Sequence, residues 1–420
     1  MKVMKKKIII VGGGFAGIQA AKTFCHSKSD IEVILIDRRN HHLFQPLLYQ
    51  VAMAGLASTD ISVPIRSVLS ECSCIQVLLG NVTAVDLKTK TLTTDFQNFS
   101  YDYLVLACGS KQSYFGHKEW ENFAPGLKSI EEAVEIRRRV LLAFELAERE
   151  KNLEKQKQLL TFIIVGGGPT GVELAGALGE ISRYTLNYEF RNIDPRRTKV
   201  VLIEAGARIL SAYSEDLSNK ATRALEKIGV QVWTASRVQE ISEKGVKVGN
   251  EFLEASTVLW AAGVEPSSLN RMLSVPLDQQ GRVMVGEDLS IPGHAEVFVL
   301  GDQANFSHGS EALPGLAPVA IQQGRKAAEN ILADLRGKAR EHFRYVDKGM
   351  MSTIGRSSAV AKIKSYEFAG FFAWILWLVV HIYYLIGFKN RLFVLFQWAW
   401  AYLTWKRGAR IITSRDWHSL

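Results

Sequence analysis

Cysteine is scarce. The 420-residue chain has four, Cys25, Cys72, Cys74 and Cys108, none in a C-x-x-C pair and none after the first quarter or so. This usage excludes a thiolate metal centre and the stapled framework of a small secreted domain, and it fits a reducing cytoplasm. Cys72-x-Cys74 has no other Cys or His beside it to complete a ligand set, so no metal is expected. No cleavable leader is expected either: lysines precede an apolar run near Met1 to Ile10, but that run is one strand long and enters a glycine loop directly. Acidic residues fall short of basic ones, 42 against 51, for a net charge of +9. The excess points to an anionic surface. The alternation of aromatics and charges that a nucleic-acid groove needs is absent, which leaves a membrane leaflet and no nucleic acid. Ionisable residues within several spanning helices, which an ion pump needs, are also absent.

What the chain does have is one glycine fingerprint twice, GGGFAGIQA from Gly12 and GGGPTGVELAGAL from Gly166. Each follows a short apolar run, Lys7 to Val11 and Phe162 to Val165, and each opens an alanine-rich helical segment. The first glycine (Gly12, Gly166) allows a tight turn. The second (Gly14, Gly168) lets a pyrophosphate approach the backbone, and the third (Gly17, Gly171) lets helix and strand pack closely. The phosphates would then meet helix N-terminal N–H groups. A second apolar strand in each unit ends in an acid suited to ribose hydroxyls, Asp37 and Glu204. Glu204 would repel a 2′-phosphate, which favours NADH over NADPH, although Arg208 stands close by.

The first unit runs to a buried strand and small-residue turn, Tyr103 to Ser110, and the second closes on the same design, Thr257 to Val264. A charged helix from Ile130 to about Gln156 joins them. The spacing predicts an α/β protein with two Rossmann-like dinucleotide-binding domains, one inserted in the other, plus a C-terminal helical membrane-anchoring region. The boundaries expected are 1–115 and 276–345 for the split domain, 116–275 for the inserted one, and 346–420 for the tail. From Phe368 to Phe388, 21 residues include no Asp, Glu, Lys or Arg, and from Leu392 to Trp405 another 14. A bilayer core takes about 20 apolar residues. Trp374, Trp377, His381 and Tyr384 recur at helical spacing, which suits a helix lying at headgroup level with its polar-tipped rings on one face. A spanning helix near Phe368 to Phe388 and a buried homodimer face are the alternatives. Lys389, Arg391, Lys406, Arg407, Arg410 and Arg415 supply basic charge against Asp416 alone.

The order GGGFAG, NHHLFQPLLYQVA, LACGS, GGGPTGVELAGAL, WAAGV, VLGDQA, APVAIQQG and WAYLTWKRGARII resembles the type II NADH:quinone oxidoreductases over essentially the whole chain. The resemblance implies a flavoenzyme passing electrons from NADH through FAD to a membrane quinone, peripheral on the cytoplasmic face of the inner membrane and in contact with the lipid surface. It implies FAD at Gly12, Gly14, Phe15, Ala16, Gly17, Asp37, Arg38, Gln45, Val82, Ala107, Cys108, Gly109, Asp302, Val319 and Ala320. NADH would lie at Gly166, Gly168, Pro169, Thr170, Gly171, Glu204, Ala262 and Gly263. Asp302 would bond the flavin polyol, and the helix opening at Ala317 would turn its positive end to a reduced, anionic flavin. Glu173 and Gln322 are the catalytic candidates, and Ala317, Pro318 and Gln322 the quinone-side ones. Many members carry glutamine where this chain has Pro318, so Gln322 is the stronger candidate for bonding the quinone. A sulfide:quinone oxidoreductase would need cysteines in its later half, and a disulfide reductase a cysteine pair near His41 to Tyr49; neither is present. A soluble ferredoxin-type flavin reductase has no use for the apolar tail. A non-enzymatic flavoprotein sensor is set apart from an enzyme only by turnover.

Overall fold

The computed structural model describes residues 5–27, 29–187, 189–308, 311–404 and 407–413. Trp405, Lys406, Arg415 and Asp416 lie outside them. In chain order the elements used below are β1 (Lys6–Val11), α1 (Phe15–Cys25), β2 (Ile31–Asp37), β3 (Ile75–Leu79), β4 (Tyr103–Leu106), α2 (Ile130–Arg149), β5 (Thr161–Val165), α3 (Pro169–Glu180), β6 (Lys199–Ile203), β7 (Val230–Trp233) and β8 (Thr257–Trp260). They continue with β9 (His294–Val299), α4 (Ala317–Leu335), β10 (Met350–Thr353), β11 (Ala359–Ile363), β12 (Tyr366–Gly370), α5 (Phe371–Tyr384) and α6 (Phe388–Thr404).

The chain forms two compact units. The first holds Met1–Leu43, Ser62–Lys111 and Val264–Asp347, the second Phe44–Ile61, Gln112–Gly263 and Lys348–Leu420. The return to the first unit thus comes at Val264 rather than 276, and the tail packs as part of the second unit instead of standing apart as 346–420.

Both units are built on one pattern. The first has the parallel order β3-β2-β1-β4, extended by β9. The second has the parallel order β7-β6-β5-β8. The central strands are buried without a break, Ile8 to Ile10 and Phe162 to Ile164, as expected of parallel strands covered on both faces. Helix α1 turns Ala16, Gly17, Ile18, Ala20, Ala21 and Phe24 inward. Small residues dominate because α4 crosses it closely: a side chain at Gly324 would collide with the Ala16 carbonyl.

The expected long helix from Ile130 to Gln156 is interrupted. α2 ends at Arg149, and the Asn152 side chain accepts from Glu154 N and Lys155 N at 3.0 and 3.1 Å to cap a separate short helix. That polar competition with helical hydrogen bonding is what asparagine offers at a helix start. The expectation of four reduced cysteines is also corrected, since Cys25 at the end of α1 is joined to Cys72, leaving Cys74 and Cys108 free. The partners are 47 residues apart in sequence, so no local spacing announces the bond.

Replacing Gly324 with alanine forces α4 away from α1 against backbone, not against a side chain that could swing aside. Overpacking of this kind costs about 1–3 kcal/mol. The expected result is a lower thermal midpoint for Gly324→Ala; an unchanged midpoint would show that the two helices are free to separate there.

Candidate functional site

The first cradle forms where β1 runs into α1. Gly12 has φ +105° and its N–H donates to Ile36 O at 2.8 Å; a side chain there would strike the Ala107 carbonyl. A side chain at Gly17 would strike Gly12 O, whereas at Gly14 nothing lies within 4 Å. The loop is therefore closed against its own backbone on two sides and open on the third, where a phosphate would come. Gly14 caps α1 without a side-chain bond, and no acid lies in the first turn to compete for an anion.

Asp37 grips this loop, accepting from Gly13 N at 2.5 Å and Arg39 N at 2.7 Å. Arg38 beside it is exposed. Phe15 meets the buried His42 edge to face at 5.1 Å, and the His42 Nδ1 bonds Gly13 O at 3.0 Å. Val82 is buried at the start of a neighbouring strand. At the β4 end, Ala107 N donates to Val11 O and Cys108 N to Gln303 Oε1 at 3.0 Å. Burial pushes the Cys108 thiol up to about 12, so it is a small wall residue and not a nucleophile. Gly109 has φ +67° with open space beyond. Asp302 accepts from Ser110 Oγ at 2.6 Å, and Val319 and Ala320 bury the first turn of α4 nearby.

Three residues that sequence reasoning passed over tie this unit together. Gln323 Oε1 accepts from Gly301 N at 2.7 Å, and Gln303 Nε2 donates to Asn270 Oδ1 at 2.7 Å. Asn270 Nδ2 in turn reaches Gly281 O and Gln303 O. The two glutamines were present in the VLGDQA and AIQQG stretches, but only the structure shows that these, rather than their neighbours, face inward.

The second cradle repeats the first. Gly166 has φ +110° and donates to Ile203 O at 2.8 Å, with a side chain excluded by the Ala261 backbone. Gly171 abuts Gly166 O, and Gly168 again has nothing within 4 Å. Pro169 opens α3, where its missing N–H is no loss, and Thr170 is half-buried behind it. Glu204 accepts from Gly167 N and Gly206 N, both at 2.6 Å, as Asp37 does in the first unit. Arg208 is directed elsewhere, donating to Tyr213 O and Ser211 O. Ala262 is half-buried, and Gly263 has φ +79° with its carbonyl held by Gln112 Nε2 at 2.8 Å.

The catalytic candidates have different surroundings. Glu173, in the second turn of α3, faces β10. Burial holds its carboxyl well above the usual range, and the Thr353 backbone and Ser352 hydroxyl pull it back only in part. Gln322 is engaged by its own chain: Nε2 donates to Val346 O and Oε1 accepts from Val346 N, both at 3.0 Å. Ala317 and Pro318 form the first turn of α4, where proline disturbs no helical bond. Gln45 belongs to the second unit, where its Nε2 donates to Lys128 O at 3.3 Å.

The tail corrects one expectation. Of the four rings expected to face the lipid, Trp377 turns inward, being 1% exposed, stacked on His381 at 4.1 Å and in contact with Tyr49 and Trp398, while Trp374 and Tyr384 are half-buried. Burial pulls His381 down to about 4, so it is neutral. The outer face of α5 carries Phe372, Ile375, Val379 and Tyr383, with Phe372 80% exposed. The 21-residue apolar stretch is divided between β12, the 14-residue α5 and a turn. Among the described residues no helix is long and apolar enough to cross a membrane.

The family model described as pyridine nucleotide-disulphide oxidoreductase matches residues 6–324. The type II NADH:quinone oxidoreductase Ndh of Mycobacterium tuberculosis is 42% identical over 98% of this chain and 91% of its own length. An internal alternative NAD(P)H-ubiquinone oxidoreductase of Arabidopsis thaliana is 30% identical over 97% and 86%. Among solved structures, NDH2 of Plasmodium falciparum in complex with NADH has the same fold, with a TM-score of 0.88 at 20% identity over 98% of this chain and all of that one. The sulfide:quinone oxidoreductase of Aquifex aeolicus is more distant in shape, at 0.74 and 18% over 92% and 91%. With paired glycine cradles on a repeated sheet and near full-length likeness to these relatives, the chain belongs to the pyridine nucleotide-disulphide oxidoreductases and, among them, to the type II NADH:quinone oxidoreductase family.

Proposed function

We propose that this protein carries two electrons from NADH through a resident FAD to a quinone at a membrane surface, without pumping protons. The observation that carries the reading is the repeated cradle, in which Gly14 and Gly168 are left bare at the same point of the same strand order. Bound FAD supplies hydride acceptance and two-electron release.

The chain's own groups do the rest. Gly12, Gly14 and Gly17 at the positive end of α1 orient the FAD pyrophosphate, and Asp37, while it holds Gly13 N, accepts from ribose hydroxyls. Asp302 takes the polyol, and Phe15, Ala16, Ala107, Cys108, Gly109, Val319 and Ala320 give close, small-residue walls. Gly166, Gly168, Pro169, Thr170 and Gly171 hold NADH against α3, with Ala262 and Gly263 beside it. Glu204 disfavours a 2′-phosphate, and Arg208, already bonded to two carbonyls, offers it no counter-charge. Glu173 is neutral where an exposed carboxyl is ionised, so it can hold a proton for the quinone step. Ala317, Pro318 and Gln322 are the quinone-side residues, and Gln322 would have to release Val346 to bond a quinone. The exposed apolar side chains of α5 and α6, among them Phe372, Val379, Phe388, Phe396, Trp400 and Leu403, lie in a lipid interface as a peripheral anchor on the cytoplasmic face of the inner membrane.

The purified full-length protein should be yellow, bleach on anaerobic addition of NADH and regain its colour when quinone follows. A colourless protein, or a band unmoved by NADH, would overturn the reading. Glu204→Ala should narrow the preference for NADH over NADPH by about tenfold, ~1.4 kcal/mol; equal preference ratios in variant and parent would remove Glu204 from that role.

Glu173 also generates a pH prediction. Its folded pKa lies above the ordinary 4.5, so the folded chain binds the proton more tightly than the unfolded one. The stability it contributes is full below 4.5 and is lost as pH rises through the raised value. Glu173→Gln, permanently neutral, should therefore lose less thermal stability over that interval than the parent. Parallel curves for the two proteins would place an ionised carboxylate at Glu173.

A further inference from the structure

We propose that the groove between α2 and the C-terminal segment binds an anionic glycerophospholipid, with its phosphate on Arg137 and an acyl chain along α6. The groove has a volume of about 1180 Å³ and lies wholly within the second unit. Small-molecule pockets run to roughly 300–1,000 Å³, so it has room for more than a compact metabolite. Its wall mixes apolar side chains, Leu186 and Phe190 from the segment after α3 and Phe396 and Trp400 from α6, with charged ones, Arg137 on α2, Glu189, and Arg407 and Arg410 beyond α6.

The charges decide the occupant. Arg138 and Arg139, next to Arg137 on α2, both pair with Glu135. Arg407 and Arg410 at the far wall pair with Glu180 and Glu189. Arg137 alone among these is half-buried with no carboxylate partner among the described residues, and burial pulls its pKa down. A half-buried cation without a counter-ion is unfavourable, and a phosphate diester would supply one in a charge-assisted bidentate bond. Exposed Glu145, eight residues on along α2, would repel the phosphate and so sets the headgroup at the Arg137 end. Phe396 and Trp400 belong both to the groove and to the exposed apolar face of α6, so an acyl chain follows one continuous surface. A quinone's isoprenoid tail would use the apolar wall but has no need of Arg137. The proposal rests on the membrane reading of α5 and α6 only for the route by which the lipid arrives.

The test uses the full chain in mild detergent, titrated with dihexanoyl-phosphatidylglycerol as a monomeric probe and with dihexanoylglycerol, which lacks the phosphate, as control, with bound copies counted by native mass spectrometry. One phosphatidylglycerol per chain is expected, held about tenfold more tightly than the control. Arg137→Gln should remove that preference while keeping its thermal midpoint and its turnover with NADH and quinone. Trp400→Ala should weaken both lipids equally and keep the preference. Failure of the parent to bind either probe, or an unchanged preference in Arg137→Gln, would overturn the proposal. A raised KM for quinone in Trp400→Ala with lipid binding intact would assign the groove to the quinone tail instead. Because the probe is soluble, a parent that binds it but does not turn over would count against the enzymatic reading and not against the lipid site.

Discussion

The fold depends on backbone touching backbone where side chains are excluded. Gly12 lies on the Ala107 carbonyl, Gly17 on Gly12 O, and the pair Gly166 and Gly171 repeat this against Ala261. These approaches bring the first turn of α1 and of α3 to the end of its strand, which leaves Gly14 and Gly168 at an open helix N-terminus. The positive end of the helix is thereby aimed at one point. Asp37 and Glu204 then bond the loop from behind, to Gly13 N and Gly167 N, so the acid that is to read a ribose also fixes the loop beside which the ribose would sit. A β-carbon at any of the closed positions would separate helix from strand and lose both functions together.

This explains which features were legible in the sequence. Glycine spacing, the preceding apolar run and the terminal acid are all local, and each has a single physical reading, so the strands that enter and flank the two glycine loops were legible in the residues, while the outer strands β3 and β7 were not. What escaped depends on contacts between distant segments. Cys25 and Cys72 meet only because α1 packs back over its sheet beside the lead-in to β3. Gln303 and Gln323 are adjacent in sequence to residues chosen for the site, and which neighbour turns to the interior shows only in their bonds to Cys108 N and Gly301 N. Gln322 shows the converse. Its motif suggests a free amide, but the chain leaving α4 returns as Val346 to occupy both of its ends.

The tail shows why amphipathic spacing alone is ambiguous. Trp374, Trp377, His381 and Tyr384 do share a helical face, but a stripe says nothing about which side it meets. Helix α5 packs on β11 and β12, and Trp377 on it is almost wholly buried against Tyr49 and Trp398. The opposite stripe is left to Phe372, Ile375, Val379 and Tyr383, which lack strong polar groups apart from the Tyr383 hydroxyl and favour removal from water by about 25 cal/mol per Å².

The same inversion applies to charge. Counted along the sequence, the tail is a basic patch; in the fold, most of its described cations already have partners. Arg391 donates to Leu385 O at 2.7 Å, Arg407 reaches Met53 O and Glu180, Arg410 meets Glu189, and Lys389 stands over the Phe393 ring. Arg407 and Glu180 in particular hold the segment beyond α6 to α3, with Arg356 N also donating to the same carboxylate. A surface whose cations are paired internally attracts an anionic leaflet weakly, and such attraction is screened within about 8 Å at physiological salt. Association through α5 and α6 should therefore draw chiefly on apolar area, with its electrostatic part concentrated at the few cations without a carboxylate of their own.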